Sequence, residues 1–231
     1  MPKTLVISTH YDDAVISCGH WMYMNSHLEI SVSTVCSGFP GPGVAAGPWD
    51  SDSYFVTADQ AMAARQAEDL AALEVLGARQ GPFLGFLDRE YHAEGRTLAG
   101  LASAINELLQ SLQPDRCLVP LGVAHQDHIE TGAACRRALA LHSGIEPVVY
   151  ADLPYKYYSG TAQLFSDAVK ENGPILEPMQ WERPSTDQPK REAVRRYSSQ
   201  LRKRDPLDPA AVEASLALDS EVFWHLNTPS E

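Results

Sequence analysis

The amino-acid sequence predicts an α/β protein with a mostly parallel sheet and helices on both faces of that sheet. Short apolar runs alternate with longer helical segments over roughly the first 150 residues, as in folds where a helix links each pair of parallel strands. No internal repeat or shift in composition divides the chain. A length of 231 residues therefore suits one domain, 1–231, with one substantial core.

The first part of the chain is predicted to run strand, helix, strand and loop. Residues 4–9 form an apolar run typical of a buried strand, and an aspartate then caps a helix over 14–25. The alternating, β-branched segment 28–36 predicts a second strand. Residues 37–55 contain three prolines and four glycines. They predict a long loop, and such loops often form lids or binding surfaces.

The following elements continue the alternation. An alanine-rich segment closed by a glycine predicts a helix over 58–77, and a segment ended by a proline predicts another over 98–112. Beyond residue 152 the pattern weakens, and 172–190 is rich in proline. The remaining predicted strands are 83–87, 116–120 and 146–151, and the remaining predicted helices are 125–141 and 190–204.

Charge and cysteine content exclude several classes of protein. The formal net charge is −12, with 30 acidic against 18 basic residues, so the chain should repel nucleic acid. Basic residues do gather over 190–204, and we interpret them as the solvated face of a late helix. The four cysteines form no CxxC pair, which is typical of a reduced, cytoplasmic protein. No segment approaches the roughly 20 apolar residues of a membrane span, and the oligomeric state stays open, a homo-oligomer included.

Two short histidine–aspartate clusters carry the chemistry of this sequence. The first is His10-Tyr11-Asp12-Asp13 and the second is His125-Gln126-Asp127-His128. Each cluster follows an apolar run that predicts a strand. Because ligands of an open parallel sheet bind at the carboxyl ends of its strands, we expect the two distant clusters to meet there.

The residue types and spacing predict a site for one divalent metal ion. His10 and Asp13 are three residues apart at a strand-to-helix junction, so both side chains can reach one ion, and His128 is the natural third ligand. Two imidazoles and one carboxylate suit Zn²⁺ with water in the fourth position. Fe²⁺, Mn²⁺ or Co²⁺ would also fit, because ligand type alone does not fix the metal.

The other residues of the clusters are candidates for acid–base catalysis. Asp12 should point away from Asp13, towards the water, where a carboxylate can act as a general base. His125 would flank the open coordination position and donate a hydrogen bond or a proton. Asp127 would orient a histidine. The alternative interpretation is that each cluster only caps a helix.

At these residues the chain resembles the LmbE-like, or PIG-L, family of zinc-dependent N-acetyl deacetylases. The family signature is a His-Pro-Asp-Asp-Glu stretch after the first strand and a later His-x-Asp-His stretch. Here Tyr11 replaces the proline and Ala14 replaces the glutamate, and neither is a predicted ligand. The resemblance implies a Rossmann-like fold and the same ligands and base, with His125 as oxyanion stabiliser or acid tuned by Asp127.

The resemblance also implies residues that contact the substrate. Arg65 matches the arginine of an Arg-x-x-Glu helix that faces the substrate in the family, and Asp88 matches an acidic residue near the sugar hydroxyls. Tyr11 is expected to reshape the mouth of the pocket. The late stretch 197–200, Tyr-Ser-Ser-Gln, matches a family helix.

Residues and resemblance together predict hydrolysis of an N-acyl group, in particular N-acetyl, from an amino sugar or small glycoconjugate by a metal-activated water. Three alternatives stay open. The enzyme could be an amidase of another small amide, such as a thiol S-conjugate, or a phosphoesterase. Since Tyr11 and Ala14 depart from the signature, a non-catalytic sugar-binding protein is the third.

Overall fold

One mixed sheet flanked by helices organises the protein in this computed structural model, which describes residues 1–91, 100–201 and 209–227. The strands are β1 (Lys3–Ser8), β2 (Glu29–Thr34), β3 (Arg79–Gln80), β4 (Arg116–Pro120), β5 (Glu146–Tyr150), β6 (Leu176–Pro178) and β7 (Phe223–Leu226). The helices are α1 (Asp13–Met24), α2 (Pro48–Ser51), α3 (Ala58–Val75), α4 (Leu101–Leu112), α5 (Gln126–Leu139), α6 (Ala162–Asn172), α7 (Gln188–Val194), α8 (Ser198–Leu201) and α9 (Pro209–Ser215).

The sheet has the strand order β3-β2-β1-β4-β5-β7-β6. The strands β1 to β5 are parallel, and β7 pairs antiparallel with both β5 and β6. The chain runs from β1 outwards through β2 to β3, then returns to β4 and runs to β5 in the opposite direction. Right-handed crossovers in opposite directions place their helices on opposite faces. Accordingly α7 packs on α1 and α3, whereas α4 packs on α5. The predicted α/β fold with a mostly parallel sheet is thereby confirmed.

Burial on both faces explains the composition of the central strands. In β1 the consecutive residues Leu5, Val6 and Ile7 are all fully buried, because helices cover both sides of a parallel sheet. The four cysteines are free and buried in this core. None of the described helices combines the length and the apolar character that crossing a bilayer requires.

The predicted strand over 83–87 was wrong. On the side of β2 away from β1, the paired strand is the two-residue β3, which lies before this segment. Residues 83–87 do run beside the end of β2, since Leu84 and Phe86 donate backbone hydrogen bonds to Thr34 and Val35. However, Gly85 has φ +73°, which turns the backbone out of the extended conformation that a strand requires.

The helix predicted over 190–204 is two short helices in the structure, α7 and α8, and residues 202–208 lie outside the described part. The segment after α7 is held by Glu68, whose carboxylate accepts the hydroxyls of Ser198 and Ser199 and the backbone N–H of Ser199. Continuation of α7 would require this N–H to bond to the carbonyl four residues earlier, so its bond to Glu68 favours a break in the helix.

One residue of the basic segment is not solvated. Lys190 is fully buried, and its Nζ lies 2.8 Å from Oε1 of Glu221 and donates to the carbonyl of Ser215. The same carboxylate accepts the backbone N–H groups of His20 and Trp21 in α1. This ion pair therefore attaches α7 and the segment before β7 to α1. The elements α2, β3, α6, β6, α9 and β7 were not predicted from the sequence, and the short helix α2 lies within the segment 37–55 that was predicted as a loop.

Candidate metal centre and active site

Both histidine–aspartate clusters lie where the strand order reverses. The strands β1 and β4 are neighbours, and the chain leaves them in opposite directions, which creates the crevice where open α/β sheets bind ligands. Gly122, in the loop after β4, has φ +85°, and a Cβ there would approach the carbonyl oxygen of His128 to 2.8 Å. A glycine at this position thus lets the start of α5 pack directly against the end of β4.

The three predicted metal ligands converge on one carboxylate oxygen. Oδ2 of Asp13 lies 3.2 Å from Nδ1 of His10 and 3.1 Å from Nε2 of His128. The three residues can offer ligand atoms that all lie within 4.8 Å of one another. Asp13 and His128 are buried. The structure therefore brings together His10 and Asp13, at the junction of β1 and α1, and His128, in α5, as the sequence predicts.

Each of these histidines has a second carboxylate on its other ring nitrogen. Nε2 of His10 lies 3.2 Å from Oδ2 of Asp127, and Nδ1 of His128 lies 2.6 Å from Oδ1 of Asp152. A carboxylate at the far nitrogen holds the proton there, which leaves the near nitrogen free to bind a metal ion. Within the described part of the chain, the buried Nε2 of His128 makes no hydrogen bond of good geometry, although Oδ2 of Asp13 lies 3.1 Å away. A buried nitrogen that faces a carboxylate in this way fits a divalent cation.

Asp152 is the site residue that the sequence analysis missed. It is buried, and its Oδ2 accepts the backbone N–H of Gly122 at 2.8 Å. One carboxylate thus fixes both the ring of His128 and the loop after β4. The signal was present in the sequence, because Asp152 follows the predicted strand 146–151 at the same edge of the sheet.

The pKa values show a site built to hold positive charge. Burial raises the pKa of Asp13, but His128 and His10 outweigh burial and hold this pKa well below its usual range. Burial lowers the pKa of His128, but Asp13 and Asp152 outweigh it and raise this pKa to about 9. Without a metal ion, protons on the imidazoles supply the compensating charge.

Asp12 has the position and the pKa of a general base. It precedes α1, makes no side-chain capping hydrogen bond and lines the cavity described below. Burial, followed by the neighbouring charge of Asp13, raises the pKa of Asp12 to about 6. The missing cap argues against the alternative in which this aspartate only stabilises the helix.

His125 presents a hydrogen-bond donor to the same cavity. Its Nδ1 accepts the backbone N–H of Asp127 at 3.3 Å, so the proton of the neutral ring lies on Nε2. Its ring centroid is 5.3 Å from that of His10 and 5.9 Å from that of His128. Burial and the neighbouring His10 lower its pKa, which favours the neutral form.

The carboxylate of Asp127 is closer to His10 than to His125, the partner that the resemblance implied. Its Oδ2 lies 3.2 Å from Nε2 of His10 and 3.9 Å from Nδ1 of His125. Burial raises the pKa of Asp127, but His10 outweighs burial and lowers this pKa to about 2. Asp127 is therefore an anion that orients His10, and it contacts His125 through its backbone.

Arg65 and Asp88 form part of a buried ionic network beside the metal site. The guanidinium of Arg65 contacts the carboxylate of Asp50 and lies 3.2 Å from Oδ2 of Asp88. Burial raises the pKa of Asp88, but His10 and Arg65 outweigh burial and lower it. The carboxylates of Asp50 and Asp88 thus balance the charge of Arg65. Asp88 also lies near the metal site, with its Oδ2 3.8 Å from Nε2 of His10.

A cavity of about 690 Å³ opens above these residues. One wall is aromatic and proline-rich, and the late stretch Tyr197 to Gln200 contributes to it. Trp49 comes from the long loop predicted over 37–55, and its Nε1 donates to Oε1 of Gln200 at 3.0 Å. Tyr11 lines the cavity but is only 3% exposed, with its ring against Phe83. The wall residues are Ile16, Pro48, Trp49, Pro154, Tyr155, Tyr158 and Tyr197.

The chain belongs to the PIG-L family. The family's sequence model, described as PIG-L: GlcNAc-PI de-N-acetylase, matches residues 5–139. This span contains every residue of both clusters and confirms the resemblance to LmbE-like proteins. A search of curated proteins finds no significant match.

Solved structures share the fold over the whole chain. The zinc-inhibited form of teicoplanin deacetylase Orf2 has a TM-score of 0.75 and 23% identity, covering 99% of this chain and 100% of that chain. The pseudoaglycone deacetylase Dbv21 has a TM-score of 0.69 and 24% identity, and the match covers 99% of this chain and 98% of that chain. GalB, a 4-carboxy-2-hydroxymuconate hydratase from Pseudomonas putida KT2440, has a TM-score of 0.58 and 18% identity, and the match covers 93% of this chain and 83% of that chain. The fold is thus shared by proteins with different reactions, and function must be argued from the site.

Proposed function

We propose that this protein is a metal-dependent deacetylase that removes an N-acetyl group from an amino sugar. One observation carries the proposal. Two histidine–carboxylate pairs converge on the oxygen of Asp13, and in each pair the ring nitrogen that faces this oxygen is the one opposite the outer carboxylate. The family to which the chain belongs is described as a de-N-acetylase, which supports hydrolysis of an N-acetyl group as the reaction class.

His10, Asp13 and His128 would hold the metal ion. A divalent ion bound there would supply Lewis acidity, which lowers the pKa of a bound water towards about 7 and polarises the acyl oxygen. Two imidazoles and one carboxylate accept Zn²⁺, Fe²⁺, Mn²⁺ or Co²⁺. The similar teicoplanin deacetylase was solved in a zinc-inhibited form, so the native metal is best identified by testing all four ions.

Asp12 and His125 would carry out the proton transfers and stabilise charge. Asp12, with a pKa of about 6, accepts a proton as water adds to the acyl carbon. The Nε2–H of His125 donates a hydrogen bond to the oxygen that becomes negative. The proton on Asp12 then passes to the nitrogen as the carbon–nitrogen bond breaks, which gives a carboxylic acid and a free amine.

The cavity favours an amino sugar that carries a bulky apolar group. Asp88 offers a carboxylate to sugar hydroxyls near His10, while Trp49, Tyr155 and Tyr158 form an aromatic wall. Aromatic faces suit both sugar rings and aromatic substituents. Two proteins with similar structures are deacetylases of teicoplanin and of a pseudoaglycone, which agrees with a substrate larger than a free monosaccharide.

Acetate release from aryl and alkyl glycosides of N-acetylglucosamine tests this proposal. The metal-stripped protein is reloaded with each of the four ions and assayed. Asp12→Asn should retain its metal while acetate release falls by about 10²–10⁴-fold. Asp59→Asn is the matched control, since Asp59 also lies in the first turn of a helix and outside the cavity lining.

Two results would count against the proposal. If no metal form releases acetate from any of these glycosides, the reaction class is wrong. If Asp12→Asn keeps the full rate, its role as the base is wrong. In a parallel experiment, His128→Ala should lose metal as measured by elemental analysis, because only two of the three ligands remain.

A further inference from the structure

We propose that His10, Cys36 and Asp127 form a second cation site, selective for thiophilic divalent ions such as Cd²⁺. This second site lies on the opposite edge of the His10 ring from Asp13. It uses Nε2 of His10, whereas the catalytic site proposed above uses Nδ1.

Two of the three distances within this group are close to those of a tetrahedral metal site. Sγ of Cys36 lies 3.8 Å from Oδ2 of Asp127, and Nε2 of His10 lies 3.2 Å from the same oxygen. The ligand atoms of all three residues lie within 4.8 Å of one another. Ligand atoms about 2.0–2.3 Å from a tetrahedral zinc ion are separated from each other by about 3.3–3.7 Å. Little movement would therefore be needed to close these side chains around an ion.

Two further carboxylate oxygens lie at this edge. Among the residues that the structure describes, the buried Oδ1 of Asp127 has no hydrogen-bond partner, so this oxygen has lost water without gaining a hydrogen bond in exchange. Oδ2 of Asp88 lies 3.8 Å from Nε2 of His10. Because His10 and Asp88 both line the cavity, an ion can reach this edge through the cavity.

Cys36 makes the site selective for soft ions. Thiolate ligands favour soft and borderline metals such as Cd²⁺ and Zn²⁺, whereas carboxylates alone favour hard ions. Binding replaces the proton of the Cys36 thiol, which leaves to solvent. Among the described residues, the other three cysteines belong to no comparable group of ligands. All four cysteines are buried, so Cys36 differs from the others in lying next to His10 and Asp127.

The shared histidine makes the two sites compete. A neutral imidazole has one lone pair, so His10 can bind one ion at a time. An ion held at Nε2 leaves only Asp13 and His128 for the catalytic site. A thiophilic ion at Cys36 should therefore inhibit the enzyme. This inhibition rests on the proposed function, whereas binding of the ion to the thiolate does not.

Ultraviolet absorption during titration with cadmium chloride tests the site directly. Cadmium bound to a thiolate gives a charge-transfer band that carboxylate and imidazole ligands do not give. The wild-type protein should develop this band, and Cys36→Ala and Cys36→Ser should both lose it. Cys135→Ala is the matched control, since Cys135 is equally buried but, among the described residues, belongs to no group of possible metal ligands, and it should keep the band.

Activity provides a second measurement. Cd²⁺ should inhibit acetate release by wild type and by Cys135→Ala, and this inhibition should be lost in Cys36→Ala. Absence of the band in wild type, or its presence in both Cys36 variants at a stoichiometry equal to wild type, would overturn the second site. A band that follows Cys36 in a protein without deacetylase activity would leave this site intact and refute the proposed function alone.

Discussion

Replacing Asp152 by asparagine should weaken metal binding, although Asp152 is not itself a predicted ligand. Its two oxygens accept two different donors, His128 Nδ1 at 2.6 Å and the backbone N–H of Gly122 at 2.8 Å. Asparagine has one acceptor oxygen and one NH₂ donor. One of the two donors must therefore face the NH₂ group in the variant.

Both orientations of the amide harm the site. If the NH₂ group faces His128, Nδ1 must accept, the proton moves to Nε2 and the lone pair for the metal is lost. If it faces Gly122, a buried donor loses its acceptor, at a cost of about 1–3 kcal/mol in the free energy of unfolding. Loss of such an outer carboxylate weakens metal binding by about 10–100-fold, which corresponds to about 1.4–2.7 kcal/mol.

Competition with a chelator measures the metal dissociation constant of Asp152→Asn. Asp69→Asn is the matched control, because Asp69 is also buried, accepts a hydrogen bond from Tyr197 and has a pKa raised by burial. Because its hydrogen bond comes from Tyr197 and not from a predicted metal ligand, metal binding should stay within about twofold of wild type. A folded Asp152→Asn protein with unchanged metal affinity would refute the argument that Asp152 fixes the tautomer of His128.

Three further predictions follow from the site and the core. His125→Ala should lower kcat by about 10²–10³-fold at unchanged metal content, and steady-state kinetics with unchanged kcat would exclude it as the oxyanion donor. Lys190→Met should destabilise the protein by about 3–5 kcal/mol in denaturant unfolding, because it leaves the charge of Glu221 buried and unpaired. Adding Glu221→Gln, which removes this charge and keeps an acceptor oxygen for the backbone N–H groups of α1, should recover part of this loss; no recovery would contradict a buried charge as the cause. In metal-free protein, Asp13 and Asp152 outweigh burial and raise the pKa of His128 to about 9, so roughly 3 kcal/mol of stability is complete below pH 6.5 and is lost as pH rises through 9. A melting temperature that stays constant over this range would show that His128 is not protonated there.

Local sequence patterns were sufficient for the elements that form the site. The apolar runs before both clusters became β1 and β4, and the structure places these two strands side by side in the sheet. The predicted strand 83–87 failed because Gly85 has a positive φ, which periodicity does not reveal. The long helix predicted over 190–204 is interrupted where the backbone N–H of Ser199 bonds to Glu68, a contact with a distant helix.

The sequence by itself determined which chemical groups reach the carboxyl edge of the sheet, because the apolar runs that form strands and the short spacing within each cluster are local properties. Only the tertiary structure decided which partner each group has. In the structure Asp127 contacts His10, and Asp152 contacts His128. Cys36 lies beside His10, and Lys190 forms a buried ion pair with Glu221. Such pairings join residues far apart in the chain, and burial strengthens them by removing competing water. They depend on packing that no local pattern encodes.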